Sequence, residues 1–114
     1  MTMRALEVAQ ALRVERLDVG VLHVPTIKPL DEATILREAA RSGRMLIVAE
    51  NHSIVGGLGE AVAGVLLRSG VTPVFRQIGL PDEFLDAGAL PTLHERYGIS
   101  TEAMAKKIKA WQAE

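Results

Sequence analysis

The chain has 114 residues, 48% of them hydrophobic and 24% charged, which sets the scale of one globular domain and excludes a disordered chain. A formal net charge of −1 supplies no bulk field that would recruit nucleic acid or an anionic membrane. The absence of cysteine removes disulfides, thiolate nucleophiles and cysteine-based zinc sites.

Ala5, Leu6, Ala9 and Leu12 recur at helical spacing and predict an amphipathic helix over residues 2–13. The apolar run Val19 to Val24 reads as a buried strand ended by Pro25, with His23 a core or sheet-end histidine. Asp31 suits the N-cap of a helix reaching about Arg41, with Glu32 in its first turn and Gly43 as its stop. Met45 to Ala49 reads as a second strand, followed by a polar loop, Glu50 to Ser53, and a glycine hinge at Gly56, Gly57 and Gly59. An apolar helix runs from about Leu58 to Ser69 and ends at Gly70. Val71 to Ile78 is the third strand, and the chain turns after Gly79. A short helix over Pro91 to Tyr97 and a last one capped by Thr101 and reaching Trp111 complete the chain.

Strands alternating with helices predict an α/β fold, a three-layer α/β/α sandwich with a mostly parallel sheet. Three strands beside five helices make a thin sheet. Either a strand is missing or another chain completes it.

Gly57-Leu58-Gly59-Glu60-Ala61-Val62 imitates a dinucleotide fingerprint but carries Val62 at its third glycine. The six residues Asn51 to Gly56 precede it where the fingerprint has its glycine almost directly after the strand, and the acidic residue expected about 20 positions on is absent. A small anion- or nucleotide-binding module using this helix start is the alternative class; a packing hinge is the preferred reading. Glu50, His52 and Ser53 lack the nucleophile elbow of a hydrolase, so His52 reads as a hydrogen-bonding or interface residue. His94, beside Glu95 and Arg96, reads as solvated, and the three histidines have no metal-binding spacing. Lys106, Lys107 and Lys109 suit the C-terminal end of a helix dipole. No apolar run is long enough to span a bilayer and MTMRALEVAQAL lacks the core of a signal peptide, so a soluble, cytoplasmic protein is expected.

Four segments in order, TIKPLD (Thr26 to Asp31), AENHSIVGGLGEAVA (Ala49 to Ala63), IGLPDEFLDAG (Ile78 to Gly88) and YGIS (Tyr97 to Ser100), resemble the C-terminal domain of the transketolase family. The nearest likeness is to the separately encoded C-terminal section of split prokaryotic transketolases. Similar domains close 1-deoxyxylulose-5-phosphate synthase and the beta subunits of 2-oxo acid dehydrogenases. The resemblance implies a five-stranded mixed sheet and a role in an enzyme moving a two-carbon ketol unit between sugar phosphates. It also implies that thiamine diphosphate and Mg²⁺ sit in upstream domains, on a G-D-G…N motif that this chain lacks. By that likeness the chain binds no cofactor, is not itself catalytic, and buttresses its partners: the N-terminal transketolase domains, in a homodimer or hetero-oligomer. Glu50, His52, Gly56, Gly57 and Gly59 match the family loop that faces neighbouring domains, and are the expected interface residues.

The departure is at the front. Relatives place a short strand and a central one before the first helix, so the chain is expected to lack its first strands and to be an incomplete piece of a longer polypeptide. The central strand would lie between residues 19–24 and 45–49. Each unpaired buried backbone group there costs about 1–3 kcal/mol, against a domain's margin of about 5–15 kcal/mol.

Overall fold

The computed structural model describes residues 1–114, which divide into two compact units. One joins residues 1–23 with residues 83–114; the other is the continuous stretch 24–82.

The continuous unit holds α2 (Glu32–Ala39), β1 (Met45–Ser53), α3 (Leu58–Ser69) and β2 (Val74–Leu80). Its first helix, α2, starts where Asp31 accepts the Thr34 backbone N–H at 3.1 Å. That bond, joined by one to the Thr34 side chain and by the Arg37 charge, holds the Asp31 carboxyl below its ordinary value. The helix stops at Ala39, two residues before the expected Arg41, and Gly43 at φ +73° turns the chain toward β1. The two strands run parallel, with Met45 opposite Val74 and Ala49 opposite Ile78. Parallel strands need a crossover, and α3 supplies it in a β-α-β unit. Ile35 and Ala39 of α2, Val48 of β1, and Val62 and Leu66 of α3 form the buried core of this unit. Leu30, Leu36, Leu46, Leu58, Val71 and Phe75 pack around them.

The other unit is helical: α1 (Thr2–Val14), α4 (Leu90–Arg96) and α5 (Thr101–Gln112). Helix α1 packs on α5, and Val8, Leu12, Ile99 and Met104 are buried. Polar contacts border them. Arg4 donates to the Ile99 carbonyl at 2.7 Å, Thr101 to Glu7 at 2.8 Å, and Lys109 to Glu15 at 3.0 Å. The C-terminal ends of α1 and α4 close in the same way. Leu17 N–H returns to Leu12 O with Arg16 at φ +65°, and Ile99 N–H returns to His94 O with Gly98 at φ +69°.

The α/β class and parallel pairing hold, but the sheet has two strands. Residues 19–24 form no strand, and Val21 and Leu22 are 37% and 46% exposed. An apolar run becomes a strand only when a neighbour takes its backbone hydrogen bonds, and this run, closed by Pro25, has none in the sheet. Accordingly His23 is an exposed residue bonded to Thr2 Oγ1 at 2.9 Å rather than a core histidine. Strand β2 begins at Val74, after Pro73, because proline has no N–H for a ladder. It continues two residues past the expected end at Ile78, to Leu80, and the chain bends at Asp82. Ser100, not Thr101, caps α5, accepting Ala103 N–H at 3.1 Å, while the Thr101 hydroxyl is used on Glu7. His94 is half-buried: its Nε2 lies 3.3 Å from Arg4 Nη2. No helix is long and apolar enough to cross a membrane.

Candidate functional site

Strand β1 does not stop at Ala49. After an irregularity in the ladder it pairs again, with Ser53 opposite Leu80, and Ile54 N–H donates to Leu80 O at 2.9 Å. The expected polar loop Glu50 to Ser53 is therefore the end of a strand. This matters for Glu50, which is 8% exposed and aimed at the start of α3. One of its carboxylate oxygens accepts Leu58 N–H at 2.8 Å and the other accepts Gly59 N–H at 2.9 Å.

The first amides of a helix have no partner within it and carry the positive end of its dipole. Residue Gly57 at the N-cap has no side chain to serve them. Glu50 does so from the strand, eight and nine positions earlier in the chain. Glu60, in the first turn, reaches back to accept Gly56 N–H at 2.9 Å. Ser53 Oγ accepts Val55 N–H at 3.1 Å. The bend thus has its amides engaged from Val55 to Gly59, Gly57 aside, by a hydroxyl and two carboxylates.

The glycines serve different needs. Gly56 takes φ +73°, with open space where a Cβ would point. At Gly57 a Cβ would run into the Glu50 carboxylate and lie 2.8 Å from Ser53 O. At Gly59 it would strike the Gln77 side-chain amide. Gly79, across on β2, lies so close to β1 that a Cβ would come within 2.9 Å of His52 O. Gln77 and Gly79 belong to this site and were missed from the sequence. A glycine inside a strand pattern marks close backbone approach, and that signal at Gly79 was open to reading; nothing marked Gln77. Its Nε2 is buried without a hydrogen-bond partner.

His52 is exposed, and its Nδ1 lies 2.8 Å from Ser53 O. A carbonyl only accepts, so Nδ1 carries the proton. The imidazole is bonded to the Ser53 main chain, and the Ser53 hydroxyl to Val55, so Glu50, His52 and Ser53 are not wired as a proton relay. The five expected interface residues do come together at one bend, with Glu50 inside it and His52 and Gly56 exposed. No group of three His, Asp or Glu side chains gathers as a metal site.

A β-α-β unit whose crossover helix is capped from the strand by a buried glutamate defines an α/β domain with a closed helix start. Residues 1–104 match the family described as "Transketolase, C-terminal domain", and the chain belongs to that family. It is similar to a transketolase family protein of Sinorhizobium fredii, at 69% identity over 112 residues, covering 97% of this chain and 32% of that protein. It is also similar to 1-deoxy-D-xylulose-5-phosphate synthase of Heliobacterium modesticaldum, 35% identical over 90% of this chain and 16% of the synthase. For a synthase of the same name from Thermus thermophilus the figures are 40%, 81% and 14%. The chain thus spans about a third or less of the length of these relatives.

Proposed function

We propose that the chain is the C-terminal domain of a transketolase-type enzyme, which moves a two-carbon ketol unit between sugar phosphates, and that its own part is association and not chemistry. Thiamine diphosphate and Mg²⁺ belong, in this reading, to domains outside these residues. The setting is cytoplasmic, and the assembly a homodimer or hetero-oligomer with the N-terminal domains. Residues Glu50, His52, Gly56, Gly57 and Gly59 form the contact: Glu50 shapes the bend from inside, and His52 and Gly56 meet the neighbour.

The observation that carries this is the occupied helix start. Leu58 and Gly59 amides are taken by Glu50, and Gly56 by Glu60. A diphosphate would find these donors used and two negative charges beside them, so the residues present do not fit the thiamine cofactor or another phosphate ligand. A closed, rigid bend with exposed His52 and Val55 suits a protein surface.

The test is reconstitution. The chain alone is expected to be silent in a ketol-transfer assay, and adding it to the section that carries the thiamine site should raise activity. Activity from the chain alone overturns the reading. A melting or Trp111 fluorescence shift with millimolar phosphate, NAD or NADP would support the anion-binding alternative instead. A second reading, the C-terminal domain of a 1-deoxyxylulose-5-phosphate synthase, is favoured by similarity to such synthases over 81% and 90% of the chain. Assaying the same mixture for the synthase product separates the two.

A further inference from the structure

The loop after β2 is built to display an aromatic side chain. Residues 83–89 lie outside helix and strand, and all are exposed. Phe84 is 105% exposed, fully in solvent, and Leu85 and Leu90 beside it are 42% and 67% exposed. Yet the loop is tied down. Asp86 N–H donates to the Tyr97 hydroxyl at 2.8 Å, and the Asp86 carboxylate pairs with Arg96. Both anchors sit at the C-terminal end of α4. A phenylalanine left over on a floppy loop would collapse onto the nearest apolar surface. Here the next residue but one is held by two bonds while Phe84 stays out.

We infer that this loop is a docking element, with Phe84 as its anchor, and that its occupant is the part of a transketolase family polypeptide this chain does not span. The inference rests on the association reading above and extends it to a second surface. Exposed apolar clusters mark interaction sites, and aromatic residues, phenylalanine among them, are enriched at interfaces. Holding the loop in advance lowers the ordering cost of binding. Asp86 is already neutralised by Arg96, whereas Glu83 makes no ion pair. The complementary surface is therefore an apolar pocket with a lysine or arginine at its rim.

Size argues against a second copy of this chain. A phenylalanine and two leucines bury far less than the roughly 800 Å² per partner of a stable independent interface. Such a loop works as one of several contacts with a larger partner. The relative from Sinorhizobium fredii, of which this chain matches only 32%, has that further polypeptide.

The test compares the isolated chain with a chimera in which this chain replaces the matching 112 residues of the Sinorhizobium fredii protein. Amide hydrogen exchange over residues 83–89 is the readout. Exchange should be about thirtyfold slower in the chimera, the protection expected when one hot-spot side chain docks. Phe84→Ser should abolish the difference, Phe84→Trp should retain it, and Glu83→Lys should reduce it. All three should melt like the wild type as isolated chains, because Phe84 and Glu83 are exposed there. A chimera that unfolds cooperatively, with the same exchange in this loop as the isolated chain, overturns the docking inference and leaves the association reading standing. A chimera in which this chain unfolds independently, at its own midpoint, overturns both. Concentration-dependent protection of the loop in the isolated chain makes a second copy the occupant, and overturns the inference as well.

Discussion

Glu50 accepts the Gly59 backbone amide at 2.9 Å, and so ties the end of β1 to the first turn of α3 from within the unit they share. Its other oxygen takes Leu58 N–H, so a single buried carboxylate satisfies two amides that the glycine N-cap cannot serve. The charge lies where the helix dipole favours it, and each bond to an ionised acceptor is stronger than a neutral one.

Replacing this carboxylate should therefore hurt folding before it touches association. Glu50→Ala leaves two amides without partners and should cost about 1–3 kcal/mol. Glu50→Gln keeps one oxygen and turns a donor toward the other amide, so a loss toward the lower end of that range is expected. Urea unfolding of the isolated chain measures both.

The neighbouring glycines should respond through different causes. Gly57→Ala drives a methyl into the Glu50 carboxylate and against Ser53 O. It should cost about 1–3 kcal/mol, and less when added to Glu50→Ala, where only the contact with Ser53 O remains. Gly56→Ala meets open space but must keep φ +73°, and should cost about 1–2 kcal/mol whether Glu50 is present or not. A double-mutant cycle distinguishes the two patterns.

Acid should loosen the start of α2. The Asp31 carboxyl is held below its ordinary value by the Thr34 backbone bond first, then the Thr34 side chain, with Arg37 adding to the same direction. A group whose value is depressed by folding contributes stability above its unfolded value, and loses it as pH falls through the folded one. The protection of the Thr34 amide, relative to its intrinsic exchange rate at each pH, should fall once pH drops below the ordinary carboxylate range. Asp31→Asn, which keeps an oxygen acceptor, should flatten that dependence.

Arg16 occupies a left-handed position, φ +65°, that glycine fills at the end of α4. Its side chain is exposed. Arg16→Gly should stabilise the isolated chain by about 1 kcal/mol, seen as a higher denaturation midpoint with an unchanged slope.

Helices were legible wherever a local signal set them. The spacing of Leu12 with its neighbours marked α1, Asp31 marked the start of α2, and Gly70 marked the end of α3. Residues 19–24 misled because apolar, β-prone composition is necessary for a strand but not sufficient; pairing decides. The bend was legible from Gly56, Gly57 and Gly59, which demand special backbone or close approach. Which atoms approach was not. That Glu50 fills the space at Gly57, and Gln77 the space at Gly59, depends on how β1, β2 and α3 meet in three dimensions. The family likeness rested on four segments in order, and the match over residues 1–104 agrees with it.

The helical unit draws its members from both sides of the continuous unit: the bond from Arg4 to Ile99 spans 95 positions. During synthesis α1 leaves the ribosome before α5 and has no α5 to lie against until residues 101–112 emerge. Meanwhile the uninterrupted stretch 24–82 already contains every strand and helix of its own core. The inner unit is thus free to form while α1 still waits for α5.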